Sequence, residues 1–553
     1  MSSRKSKIMS AKRGGKPFPH PGVVFAGPLP KCFVYILASF ILQWAYGLGA
    51  NIVQSNIVYF TGDFNATLTE TTWLVAAYMA PNVSVAIMLI KIRYQFGLRA
   101  FAELSILGFV LVCVLQLFVT DLRSALIIRF FAGVAAAPLA SLALLYMMEA
   151  FAPAKKFTIG LSLNYMNAAL ATPLSRLISP DLLENGGFSS LSALEMGLVL
   201  ISLGCIYALP LTPVVRNKVI QKLDWVSYSL IAFGLGLNAV IMSVGMLYWW
   251  FEAPWIGWGL ALAVLSLVIA TIIELNREKP LIDLRWLFSK EIVQSVLILL
   301  VFHVFLLERS SLAAGFFNLF GLLNREMMPM YFAITFGTLL GGAICVFFLR
   351  AGREDYFYLL SLGCLALGAY LDSHVNHLTR PQDMMLSQGL VSLSYALFLP
   401  PTLFKGFVVA GARGPRYILS FIAVFLLTQV TGGLMGSAFF GSLQFIFAHK
   451  NFESLIQNIV VTDPLISGEV NTLFSSSFRV PMSHVLGDKQ DVSRLIEKFK
   501  LTANIFAYDD VFRLYFYIAT VVFAIFLAKI FLKLCFLRAY EKKSNVSEEE
   551  CTK

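Results

Sequence analysis

Between Phe33 and Lys533 the chain repeatedly runs about twenty residues without a charge. A helix of that length, rising roughly 1.5 Å per residue, matches the ~30 Å hydrocarbon core of a bilayer. No water reaches that depth, so each segment must satisfy its own backbone N–H and C=O groups, and helices do this. We therefore read an all-α polytopic membrane protein, which excludes most soluble enzyme classes. Only 14% of the 553 residues are charged, against roughly 25% in soluble globular proteins. The 48 phenylalanines suit surfaces that meet lipid and neighbouring helices.

About fourteen spans of roughly twenty residues fit the sequence. They are 33–53, 72–90, 100–119, 124–148, 157–178 and 191–214, then 225–245 and 254–274, then 292–316, 328–349, 356–371, 384–409, 417–448 and 511–533. Basic residues fall in every second gap: Lys91, Arg93 and Arg99; Lys155 and Lys156; Arg216, Lys218 and Lys222; Arg277, Lys279, Arg285 and Lys290; Arg350 and Arg353; Lys405, Arg413 and Arg416. By the positive-inside rule those gaps are cytoplasmic, as are both termini. The expected units are a basic tail (1–32), a six-helix bundle (33–214), a two-helix insert with linkers (215–290), five more helices (291–449), a long external loop (450–510), a last helix (511–533) and a second tail (534–553).

The formal net charge of +11 follows from that topology. No basic stripe with interleaved aromatics accompanies it, so nucleic acid is not an expected partner. The seven cysteines form no CxxC or Cys/His cluster, so neither a disulfide framework nor a metal site is expected, and no cofactor. The N-terminal segment lacks a short apolar core followed by a cleavage site and reads as a cytoplasmic tail. No phosphate-binding loop or catalytic triad signature appears.

A weak repeat is visible. Lys91 to Arg99, containing Gly97, follows the second span, and Arg350 to Arg353, containing Gly352, follows the tenth. Two six-span halves around a two-span insert account for the spacing. In transporters built from repeats, the site lies at the repeat interface.

Charges inside spans are costly unless paired or facing water, so they mark pathways. Arg129 falls in the fourth span and is a candidate to hold a carboxylate or to relay its charge state. Glu195, near the start of the sixth, is a proton-coupling candidate. His303, Glu308 and Arg309 form the most unusual cluster. The two acidic or titratable members are candidates for proton coupling and Arg309 for substrate binding. Arg176 and Gln429 are further substrate or charge-relay candidates. The candidate charges, three arginines against two glutamates, favour anionic or neutral cargo.

Several segments, in order, resemble the fourteen-helix drug:proton antiporters of the major facilitator superfamily, the EmrB/QacA type. Thr72-Trp-Leu-Val-Ala-Ala-Tyr78 is similar to the start of that family's second helix. Arg129-Phe-Phe-Ala-Gly133 with Pro138 is similar to its fourth-helix signature, Pro153-Ala-Lys-Lys156 to the turn that follows, and Glu274 to Leu284 to the linker after the two extra helices. Gln388-Gly389, Pro400 and Phe506 to Phe512 also fit. The family's first-helix Asp is missing from Ala50 to Val58. Its fifth-helix antiporter motif is reduced to Thr172-Pro173-Leu-Ser-Arg176, and Gln429 stands where many members have Arg.

The resemblance implies the major facilitator fold and a conformational motif at Gly97, Arg99, Gly133, Pro138 and Pro173. It also implies proton-coupled export of amphipathic small molecules from a bacterial inner membrane, with a periplasmic adaptor protein and an outer-membrane channel as possible partners beside protons and the lipid bilayer. A dedicated exporter of an anionic metabolite, such as a siderophore or aromatic acid, is the alternative. A non-transporting sensor or scaffold with the same fold is a second.

Overall fold

A computed structural model describes residues 24–153, 155–212, 218–250, 252–278, 280–306, 309–350, 352–457 and 484–551. The helices are α1 (Leu29–Ser55), α2 (Ile57–Asp63), α3 (Leu68–Phe96), α4 (Leu98–Gln116), α5 (Leu122–Ala150), α6 (Leu161–Ala208), α7 (Lys222–Val244), α8 (Pro254–Leu275), α9 (Leu284–Leu287), α10 (Lys290–Leu306), α11 (Arg309–Asn318), α12 (Met328–Phe348), α13 (Glu354–Asp372), α14 (Met385–Arg413), α15 (Pro415–Gln457) and α16 (His484–Cys551). Among the described residues, eleven helices are long and apolar enough to cross a membrane. They coincide with eleven of the fourteen expected spans. The other three expected spans fall on the first part of α6, on α10 with α11, and on α13.

Local chemistry sets the boundaries. Thr67 and Glu70 form a reciprocal capping box that opens α3. The chain leaves α3 and enters α4 through Gly97 at φ 85°, ψ 161°, a conformation open to glycine alone. Gly352, at φ 86°, makes the matching turn before α13. The two basic turns that suggested a repeat thus each contain a glycine at positive φ. Packing repeats as well: α3 crosses α5 where a Cβ on Gly133 would sit 2.1 Å from the Tyr78 carbonyl oxygen, and α12 crosses α14 where one on Gly337 would sit 2.2 Å from that of Gly389. Such glycines bring helix backbones into contact where lipid provides no hydrophobic drive.

Boundaries differ from expectation in three places. The fifth and sixth spans are not separated by a loop: α6 runs through both and breaks only at Gly186 and Gly187, the latter at φ 57°. The fifth begins after a π-helical turn, Lys156–Gly160, and the sixth occupies Gly186–Ala208 instead of 191–214. Within 450–510, read as a loop, residues to Gln457 continue α15 and those from His484 open α16.

The insert joins the N-terminal half through charge. Lys91 of α3 reaches Asp224 of α7 at 2.7 Å, Arg277 bonds both Asp224 and Glu274, and all four side chains are buried. Glu274 also accepts from Ser227 Oγ and the Leu281 amide, folding the linker back. The cluster is neutral and hydrogen-bonded, which makes its burial tolerable. On the other side α7 meets the C-terminal half: Val83 of α3, Ala239 of α7 and Leu434 of α15 share one apolar cluster, and Trp250 Nε1 donates to Ser442 Oγ at 2.8 Å.

Candidate functional site

The two halves meet at two seams, α6 against α12 and α3 against α15. Near the end carrying the N-terminus they are pressed together. The rings of Phe157 and Phe407 lie 5.4 Å apart and those of Tyr165 and Phe425 5.0 Å apart. Residues 24–26 cross the same end, where the Ala26 amide donates to the Ala150 carbonyl and Phe25 stacks on Phe151.

Toward the opposite end the halves part around a cavity of about 460 Å³. Its walls come from the C-terminal end of α1, from α3, α6 and α15, and from the turn before α12. Met242 and Ser243 of α7, with Met246 just beyond its end, complete it, so the insert is one wall. That volume lies within the range of small-molecule sites.

A ladder of polar side chains runs down the α1–α6 contact into this cavity. Thr172 Oγ1 donates to Asn51 Oδ1 at 3.1 Å, the Ser55 and Ser175 hydroxyls meet at 3.0 Å, and Ser179 Oγ donates to Asn56 Oδ1 at 2.9 Å. Spacings of three and four residues put Thr172, Ser175 and Ser179 on one face of α6; Asn51 and Ser55, four apart, share a face of α1, and Asn56 caps its end. Asn324, before α12, closes the ladder from the other half. Its Nδ2 donates to the Ser55 carbonyl at 2.9 Å and to Asn56 Oδ1 at 2.8 Å.

Arg176 sits at that junction, buried and lining the cavity. Its Nη1 donates to Asn324 Oδ1 at 3.2 Å and to the Tyr331 hydroxyl at 3.0 Å, and its guanidinium lies 5.3 Å from the Tyr331 ring centroid. Every recorded partner is neutral. Nε has no hydrogen-bond partner. The guanidinium's positive charge therefore faces the cavity without an ion pair to any described carboxylate; Glu184 and Glu326 also line the cavity, Glu184 being paired with Arg325. Above it, exposed Glu184 and Arg325 form an ion pair across the halves.

The other candidates are elsewhere. Arg129 and Glu195 are buried inside the N-terminal bundle and do not line the cavity, so the charge balance drawn from the sequence overcounts its charges. Arg129 Nη1 donates to the Gly49 carbonyl at 2.9 Å, and its guanidinium lies 4.4 Å from the Tyr78 ring centroid. Glu195 accepts from Gln116 Nε2 at 3.2 Å, while its Oε1, like Arg129 Nε, has no partner. Gly49 packs directly on that carboxylate: a Cβ there would lie 2.4 Å from Oε1. The two charges thus touch adjacent points of α1 without forming an ion pair.

His303 is fully buried where α10 crosses α15. A Cβ on Gly432 would lie 2.6 Å from its Cβ, and its ring stands 5.7 Å from that of Phe425. No side chain bonds its ring nitrogens among the described residues. Glu308 lies outside the described residues, and Arg309 opens α11 with its side chain outside them. Gln429 is half-buried on α15, away from the cavity lining. Of the conformational motif, Gly97 and Gly133 act as turn and crossing. Arg99 pairs with Glu103 at 2.8 Å in the exposed first turn of α4. Pro138 leaves its carbonyl to the Ser141 hydroxyl, which also meets Arg93. Pro173 sits inside α6, between the Thr172 and Ser175 rungs.

Sequence reasoning missed Asn51, Asn56 and Asn324 as a set, and with them Tyr331. The first two were visible as amides in an apolar helix. Asn324 was not, because only tertiary structure brings it across.

No model of a known protein family matches the chain, and no curated protein matches it. Solved structures do match. One, described as giving structural insights into substrate recognition in proton dependent oligopeptide transporters, aligns with a TM-score of 0.54 at 14% identity over 90% of this chain and 98% of that one. The human organic anion transporter MFSD10 aligns with a TM-score of 0.50 at 14% identity, over 76% of this chain and 95% of that one. A bacterial homologue of the human drug peptide transporters PepT1 and PepT2 aligns with a TM-score of 0.50 at 13% identity, over 91% and 99%. At these identities the likeness is one of fold alone, the major facilitator fold.

Proposed function

We propose that this protein is a secondary active transporter whose cargo is a small amphipathic anion, bound between the two halves with its anionic group on Arg176. The observation that carries this reading is the buried Arg176 guanidinium in the cavity wall, held by the neutral side chains of Asn324 and Tyr331 and in no ion pair with a described residue. A guanidinium whose burial is not offset by a carboxylate gains from one supplied by ligand. The apolar remainder of the wall, including Val75, Leu183, Met242, Ala314 and Leu434, suits the rest of an amphiphile. With the basic end inside, the cavity lies toward the outer side beneath the Glu184–Arg325 ion pair; breaking that pair opens it outward, and separation at Phe157–Phe407 opens it inward, which gives alternating access.

Glu195 is the proposed proton-coupling group. It bears on α1 at Gly49, and the end of α1 carries Gln54 and Ser55, followed by its cap Asn56, into the cavity wall. A change in its charge therefore acts on the helix that shapes the site.

The test is ligand stabilisation of the purified protein against amphipathic carboxylates, neutral amphiphiles and lipophilic cations. A ligand that binds only the folded state raises the melting temperature with concentration. Carboxylates are expected to do so, and Arg176→Gln to remove the effect without lowering the unliganded melting temperature by a comparable amount. Stabilisation by lipophilic cations alone would sink the reading.

A further inference from the structure

The C-terminal half contains a second cavity, of about 650 Å³, bounded by α10, α13, α14 and α16. It is separate from the inter-half cavity and shares no lining residue with it. Its polarity is graded along the helices. Gln294, Asp355, Lys405 and Lys529 lie at the end that carries the basic loops. One or more turns deeper, the walls are Ile298, Phe302, Leu365, Phe398 and Val522. The floor is Phe305 with Tyr515, whose hydroxyl donates to the Phe305 carbonyl at 3.1 Å and ties α16 to α10 there. Above that tie the two helices share no extensive contact, so the cavity is a slot between them. The slot's edges, Leu297, Val301, Val522 and Ile298, are exposed apolar side chains in the membrane-spanning region.

Lys405 and Lys529 are exposed at the mouth, and neither makes an ion pair with another described residue. Two lysines against the single Asp355 leave the mouth positive. A slot open to hydrocarbon, apolar below and cationic at the level of the basic loops, has the polarity of a phospholipid with an anionic headgroup. Basic pockets between transmembrane helices on the positive side of a membrane recognise such headgroups. We propose that this slot is a binding site for one anionic phospholipid of the adjoining leaflet, its phosphate between Lys405 and Lys529 and an acyl chain along Phe302 and Leu365.

Native mass spectrometry of the full chain, released from micelles doped equally with phosphatidylglycerol and phosphatidylcholine, tests this. One phosphatidylglycerol should be retained in preference to phosphatidylcholine. Lys405→Gln with Lys529→Gln should reduce its retention by about tenfold to thirtyfold, the scale expected from two lysines near a headgroup. Ala519→Trp, which fills the shaft from α16, should expel both lipids. Lys529→Gln alone, at an exposed position, guards against a folding defect in the double variant. Equal retention of both lipids, or retention unchanged in the lysine variants, overturns the proposal. So does displacement of phosphatidylglycerol by dodecanoate, which would give the slot to cargo. Arg176→Gln should leave lipid retention intact, so this test and that of the transport site fail separately.

Discussion

Single residues in this protein divide by whether their charge has a partner. Lys91, Asp224, Arg277 and Glu274 neutralise one another in a buried cluster, and removing one leaves a charge stranded. Lys91→Met should cost about 3 kcal/mol, measured as a lowered melting temperature in detergent. Adding Asp224→Leu should cost less than the two single changes summed, because the partners disappear together. Burial draws the Lys91 ammonium below the usual lysine range, while Asp224 holds it up. Arg176 and Glu195 are the opposite kind: their changes should be felt in function more than in stability. In liposomes, Glu195→Gln is expected to abolish the response of transport to a pH gradient while counterflow persists. An unchanged response would remove Glu195 from the mechanism. The sequence showed these charges but not their company. Arg129, Glu195 and Arg176 stood out alike, since an intramembrane charge is rare wherever it points. Only packing separates Arg176, in the cavity, from the other two, sealed in a bundle.

At the scale of the helices, what the sequence conveyed well was hydrophobic length and the alternation of loop charge. Both follow from the bilayer, which acts on every span in the same way. It conveyed breaks poorly. The gap expected between the fifth and sixth spans shrinks to the two non-helical residues Gly186 and Gly187, and Ser189 to Leu194, neither charged nor rich in helix breakers, already belongs to the sixth. Two glycines allow the backbone and the packing contributions to be measured apart. Gly352 has a positive φ and open space where a Cβ would go, so Gly352→Ala should cost about 1–2 kcal/mol from the backbone alone. Gly436 faces the Val304 carbonyl, 2.4 Å from where its Cβ would lie, so Gly436→Leu must drive α10 off α15. The first variant should melt slightly early and stay monodisperse. The second should lose its sharp melting transition.

For the whole molecule, the inter-half contacts at the cavity rim are weak by design of their setting. An exposed ion pair such as Glu184–Arg325 is worth roughly 0–1 kcal/mol, small enough to break in each cycle. A Glu184→Cys/Arg325→Cys protein should therefore be active when reduced and arrested when oxidised, with activity restored by dithiothreitol; transport that survives complete oxidation would show that the rim does not move. The insert has a different consequence. Because α7 is bonded to α3 on one side and packed on α15 on the other, it covers one seam between the halves and lines the cavity from there. The opposite seam, α6 against α12, has no such cover among the described residues. The protein consequently presents two unlike flanks to the membrane around it, one upholstered and one bare. An amphiphile already dissolved among the lipids would have to approach from the bare flank, so this molecule has a front and a back within the plane of the bilayer.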